Sequence, residues 1–133
     1  IMITLFLCYV VAFIIYYFFQ TMIIRPIVTG NDILSKMILF TYKSDKPYNC
    51  FPSIHVITTY LAVKGINATD SKKAIKIPVN LIGFLIIIST EFVKQHLIMD
   101  IFFALFLCIV IYTLVSWGMK NIAVTRSNTE FWA

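Results

Sequence analysis

The chain is short of charge, and of acidic charge above all. Among its 133 residues six are Asp or Glu and two are His, and charged residues make up 13%. The six acidic residues are scattered, so no carboxylate cluster of the kind that holds magnesium is visible. A glycine-rich phosphate loop, a Cys-x-x-Cys pair and a His-Glu-x-x-His motif are also lacking. The three cysteines have no paired spacing that supports a disulfide or a zinc site. Cys8 and Cys108 lie inside apolar runs and read as small core residues, whereas Cys50 sits in a polar loop. No cofactor and no metal are expected, and any phosphate chemistry is expected to be metal-independent.

What the chain has instead is apolar length. Hydrophobic residues make up 60%, against about 45–50% in soluble domains. Residues 1–24 carry no charge, and neither do 77–90 or 101–119. About 20 such residues span a bilayer. Residues 53–65 form a shorter fourth candidate that needs tilt or neighbouring helices to cross. The expected architecture is all-α: a polytopic transmembrane helix bundle with about four spans, in one membrane-embedded domain over 1–133. Helices are predicted over roughly 2–24, 53–65, 74–89 and 95–118. The polar loop 25–52 contains apolar residues at helical spacing, Ile33, Met37 and Phe40. It predicts a short interfacial helix capped by Asn31 or Asp32. Aromatic residues 16–19, "YYFF", read as lipid-facing or packing residues.

Net charge is +5. Because the basic residues lie in the connections between spans, they point to anionic lipid headgroups and not to nucleic acid. Alternation of spans divides them between two faces. Arg25, Lys36, Lys43, Lys46 and Lys94 fall on one. Lys64, Lys72, Lys73, Lys76, Lys120 and Arg126 fall on the other. If Arg25 and Lys94 are kept by function, the second face is the more basic and is expected to be cytoplasmic.

The first face also collects the residues with chemistry. His96 and Asp100 are four apart, a spacing that makes them neighbours on a helix. A carboxylate there fixes the imidazole tautomer and leaves the other nitrogen able to act. Asp100 can equally be a headgroup-level residue. In "PSIH", 52–55, proline and serine suit a helix start. A helix start favours phosphate, and His55 one turn in can hand a proton to a departing oxygen. The plain alternative is a capped helix with an interfacial histidine. Arg25, before Pro26, is either an interfacial anchor or a bidentate phosphate clamp. Lys94 is either an anchor or a point charge for phosphate.

These blocks resemble the type 2 phosphatidic acid phosphatase superfamily, whose members carry KxxxxxxRP, PSxH and SRxxxxxHxxxD. Arg25-Pro26 matches the end of the first. "PSIH" matches the second throughout. "STEFVKQHLIMD", 89–100, matches the third at Ser89, His96 and Asp100. The likeness covers about residues 18–105. The first-block lysine falls at Phe18 and the third-block arginine at Thr90; Lys94, just before His96, is the candidate to supply the missing positive charge. "KQH" is similar to the branch that contains inositol-phosphoceramide synthases and related bacterial membrane proteins.

The resemblance implies a six-span fold of which this chain is the last four, and a phosphohistidine mechanism. His96 would attack phosphorus, Asp100 would hold its other nitrogen and His55 would protonate the leaving alkoxide. Arg25, Ser53 and Lys94 would bind the phosphoryl oxygens. The implied activity is hydrolysis of a phospholipid or isoprenoid-type lipid phosphate at the non-cytoplasmic face of the plasma membrane. Head-group transfer between lipids is the alternative activity, and a non-catalytic membrane scaffold is a reading from a different class.

Overall fold

The computed structural model describes residues 1–93 and 98–131, with side chains described as far as Ile122. It consists of α1 (Met2–Phe18), α2 (Ile33–Ser44), α3 (Ile54–Asn67), α4 (Lys73–Phe92) and α5 (Ile98–Phe131). Among the described residues there is no strand, only an isolated antiparallel bridge between Met22 and Tyr48. Helix α3 packs against α1, α4 and α5, and α1 packs against α5.

The α1–α5 seam follows from small residues at four-residue spacing. Thr4, Cys8 and Ala12 are buried along one stripe of α1, and Ala104 and Cys108 along one stripe of α5. Small side chains repeated every four residues let two helix backbones approach closely, the usual route to helix association in lipid. Cys8 and Cys108 are therefore core residues, as their setting in apolar runs predicts. Extended by one step, the two stripes reach Tyr16 and Asp100, both buried at the same end of the seam. The register of the core thus determines which residues meet at that end.

Helix α3 approaches α4 through Gly83. A Cβ there would lie 2.5 Å from a Val63 methyl and 3.4 Å from a Thr59 methyl. Valine is stiff at χ1, so Val63 cannot easily turn away. Gly83→Val is expected to destabilise the bundle by about 1–3 kcal/mol through overpacking. Thermal unfolding in detergent checks this, and an unchanged midpoint would contradict the close approach.

Outside these seams the helices are apolar. Phe6, Phe13, Leu81, Phe84, Phe102, Phe106 and Leu114 are all exposed. Among the described residues, two helices are long and apolar enough to cross a membrane: α4, and α5 from Ile98 to Ile122. By contrast α1, with 17 residues, and α3, with 14, run only about 25 and 21 Å at 1.5 Å per residue.

Helix α1 ends six residues before the predicted limit at 24. Residues 21–23 pair with the far end of the loop. Asn49 N–H donates to the Thr21 carbonyl at 2.8 Å and Ile23 N–H to the Pro47 carbonyl at 3.2 Å. The backbone there is spent on the loop, and hydrophobicity alone does not extend the helix. Helix α5 continues well past the predicted 118, while positions 95–97 of that prediction lie outside the described residues.

The short helix expected in this loop forms as α2, capped by Asp32, whose carboxylate accepts from Ser35 N–H. Hydrogen bonds from the Ser35 hydroxyl and amide hold that carboxyl below its usual range. A depressed carboxyl stabilises above its ordinary titration range and loses the effect as pH falls through the lowered value. The cap therefore holds at neutral pH and fails only in acid. Ile33, Met37 and Phe40 form an exposed apolar stripe on α2.

Candidate functional site

The site lies where the 19–53 loop returns to the end of α1. Thr21 organises the return: its hydroxyl oxygen accepts from Cys50 N–H and Phe51 N–H, both at 3.0 Å. Asn49 takes a left-handed conformation, φ 57°, which asparagine tolerates better than most residues. The buried Tyr16 hydroxyl donates to the Pro52 carbonyl at 2.5 Å. These bonds seat "PSIH" on top of the α1–α5 seam.

Ser53 is the N-cap of α3 and is fully buried; its Oγ accepts from Val56 N–H at 3.4 Å. That leaves its own O–H available to donate. His55 follows in the first turn, half exposed.

Arg25 is nine-tenths buried, its side chain 9% exposed. Its Nη1 donates to the carbonyls of Tyr42 at 3.2 Å and Asp45 at 2.5 Å, the last carbonyls of α2. A cation there satisfies groups the helix cannot bond itself. The guanidinium also lies over the Tyr42 ring, 4.6 Å from its centre. Nε and Nη2 are buried and make no hydrogen bond. They form one edge of the guanidinium fork, the edge that grips an oxyanion with two parallel bonds. Asp45 Oδ2 stands 3.6 Å from Nη2, close enough for ion pairing but too far for a hydrogen bond. The same oxygen is 3.8 Å from His55 Nε2.

A pocket of about 60 Å³ opens beside this group, lined by Tyr16, Asp45, Lys46, Asn49, Cys50 and His55 among others. One water needs roughly 10–15 Å³ by the same measure, so the space takes several waters or one tetrahedral oxyanion. Cys50 is the only thiol on its wall. Burial, and then the negative charge of Asp100, push that thiol above its usual range. A neutral thiol is a poor nucleophile, so Cys50 is a weak candidate for attack on phosphorus.

Asp100 lies in the first turn of α5, 4% exposed. Its charge acts on both Tyr16 and Cys50. Phe103, one turn further, packs on Phe51 with ring centres 4.6 Å apart. The start of α5 is thereby tied to the loop that leads into α3 and His55.

Of the six residues read from the sequence, Arg25, Ser53, His55 and Asp100 thus gather at one end of the bundle. His96 and Lys94 lie outside the described residues. Phe18, which aligns with the lysine of the first resembled block, is 71% exposed at the end of α1. Thr90, which aligns with the arginine of the third resembled block, is buried and donates to the Ile87 carbonyl at 2.7 Å. Sequence reading missed Asp45, Tyr16 and Cys50 as site residues. Tyr16 differs from its exposed neighbours Tyr17, Phe18 and Phe19 because it continues the buried Thr4–Cys8–Ala12 stripe, a four-residue signal present in the sequence. No family model, curated protein or solved structure matches this chain.

Proposed function

We propose that the chain is an integral membrane phosphatase that hydrolyses a phosphorylated lipid through a phosphohistidine intermediate. The observation that carries this reading is the buried Arg25 fork, with Nε and Nη2 making no hydrogen bond beside the Asp45–His55 contact. A buried guanidinium edge without an acceptor costs stability unless an anion uses it. A phosphoryl group offers two oxygens at the matching spacing. The resemblance of "PSIH" and of the His96–Asp100 spacing to the type 2 phosphatidic acid phosphatase blocks supports the same chemistry.

In this mechanism His96 attacks phosphorus, and an N–P bond forms as the bond to the lipid alkoxide breaks. His55 gives the departing oxygen its proton. Asp100 accepts a hydrogen bond from the other nitrogen of His96 and so keeps the attacking nitrogen unprotonated. Arg25, Lys94, the Ser53 hydroxyl and the N–H groups at the start of α3 hold the equatorial oxygens as charge develops on them. Water then attacks the phosphohistidine, His55 takes its proton, and phosphate leaves.

The apolar exterior supports a membrane setting. In the four-span arrangement α1 and α3 cross with the help of longer neighbours. The site faces away from the cytoplasm, at the plasma membrane, with Lys72, Lys73 and Lys76 inside. Cysteine labelling of Lys72→Cys from outside intact cells is expected to fail, and efficient labelling would reverse the orientation.

Release of inorganic phosphate from a panel of lipid phosphates tests the activity itself, comparing the natural chain with His96→Ala and His55→Ala. Turnover that disappears in the His96 variant is expected; turnover that survives it would contradict the mechanism. Since the sequence has no acidic cluster for a divalent ion, a millimolar chelator is expected to leave the rate unchanged. Loss of activity restored by magnesium would count against the scheme.

A further inference from the structure

Helices α3 and α4 leave a groove of about 260 Å³ between them, with a wall that is almost wholly hydrocarbon. Thr58, Thr59 and Ala62 line it from α3. Counted from His55 they stand at i+3, i+4 and i+7, the spacing of a single helix face. The groove therefore starts one turn from His55 and runs away from the site. On α4, Val79, Ile82 and Ile86 line it at the same spacing. We propose that this groove seats the hydrocarbon chain of the lipid phosphate whose head is held at His55. The inference rests on the phosphatase reading and adds how the site selects its substrate.

Neither threonine asks for a polar occupant. The Thr58 hydroxyl donates to the Ile54 carbonyl at 2.8 Å and bonds the Tyr9 hydroxyl at 2.7 Å. Thr59 turns its methyl towards Gly83, 3.4 Å from where a Cβ there would stand. What remains is apolar wall, which gains by covering hydrocarbon and by nothing else. The order of groups is that of a lipid phosphate: cations, hydroxyl and imidazole at one end, aliphatic side chains beyond.

The dimensions agree. From His55 to Val63 is about 12 Å at 1.5 Å per residue. Past that point Asn67 and Asn80 tie α3 to α4 through reciprocal amide bonds of 2.9 and 3.0 Å. Ile82 and Ile86 are exposed, so the groove is open along its side and a chain can enter laterally. The space suits a hydrocarbon chain and is much smaller than a further helix, 10–12 Å across, would fill.

The test compares the natural full chain with Ala62→Phe in lipid nanodiscs. Ala62 is exposed, so the larger side chain fills the groove without entering the core. The substrates are dodecyl phosphate and nitrophenyl phosphate, which has no chain. In the variant kcat/KM for dodecyl phosphate is expected to fall on the order of tenfold relative to nitrophenyl phosphate, through KM, the effect of displacing about two methylenes from an apolar wall. In parallel, dodecyl phosphate carrying a diazirine at the end of its chain is expected to label groove residues of the natural chain more strongly than the matching dodecanol probe. This photolabel decides alone if the variant melts early. If the natural chain hydrolyses both substrates while Ala62→Phe leaves their ratio unchanged, the groove is wrong and the phosphatase reading survives. The same holds if the alcohol labels equally, as for bulk lipid, or if the groove takes no label, as when a second copy covers it. If the natural chain hydrolyses neither substrate, both fail.

Discussion

Replacing His55 by alanine is expected to slow phosphate release from an alkyl lipid phosphate by about 10²–10⁴-fold, the usual contribution of a positioned acid. The same variant is expected to lose less than about tenfold on a nitrophenyl phosphate, whose leaving group departs without a proton. The contrast follows from position. His55 lies in the first turn of α3, half exposed and at the pocket wall, where it can exchange a proton with solvent between turnovers. A histidine that only stabilised the fold would cost both substrates equally. Equal losses on the two substrates would remove His55 from the acid's role.

Arg25→Ala is expected to lower kcat by about 10²–10³-fold, comparable to removing one preorganised donor from an oxyanion site. Arg25→Lys should recover little, because a point charge keeps the attraction and loses the fork. Arg25 also fastens α2, through the Tyr42 and Asp45 carbonyls, so the loss has two sources. Lysine can still donate to those carbonyls but cannot present the Nε–Nη2 edge. A lysine variant with a normal melting temperature and a low kcat therefore isolates the fork, whereas one with full activity would show that charge alone suffices.

The all-helical fold was legible because apolar helices announce themselves as long runs with little or no charge. Helix α2 was legible too, since Asp32 stands before Ile33, Met37 and Phe40 at helical spacing. The end of α1 was not. Residues 19–24 are as apolar as a helix requires, and only the bonds Thr21 makes with Asn49, Cys50 and Phe51 pull them away. Such pairing joins positions nearly thirty apart and leaves no periodic trace.

The candidate site divides in the same way. Arg25, Ser53, His55 and Asp100 stood out because proline, serine and paired His–Asp spacing have local meanings. Asp45 had none. It reads as a solvated charge between Ser44 and Lys46, and becomes informative only when the fold of α2 carries it to Arg25 and His55. Tyr16 was readable in principle from the buried stripe, but its aromatic neighbours pointed towards lipid.

The central claim is that His96 carries the phosphoryl group in a pocket shared with Arg25, His55 and Asp100. Rapid acid-free quenching of the chain with a ³²P-labelled lipid phosphate tests it most directly. The account predicts a label stable to alkali and labile to acid, mapped by mass spectrometry to His96 and absent from His96→Ala. A label on Cys50, or one that persists in His96→Ala, would contradict it.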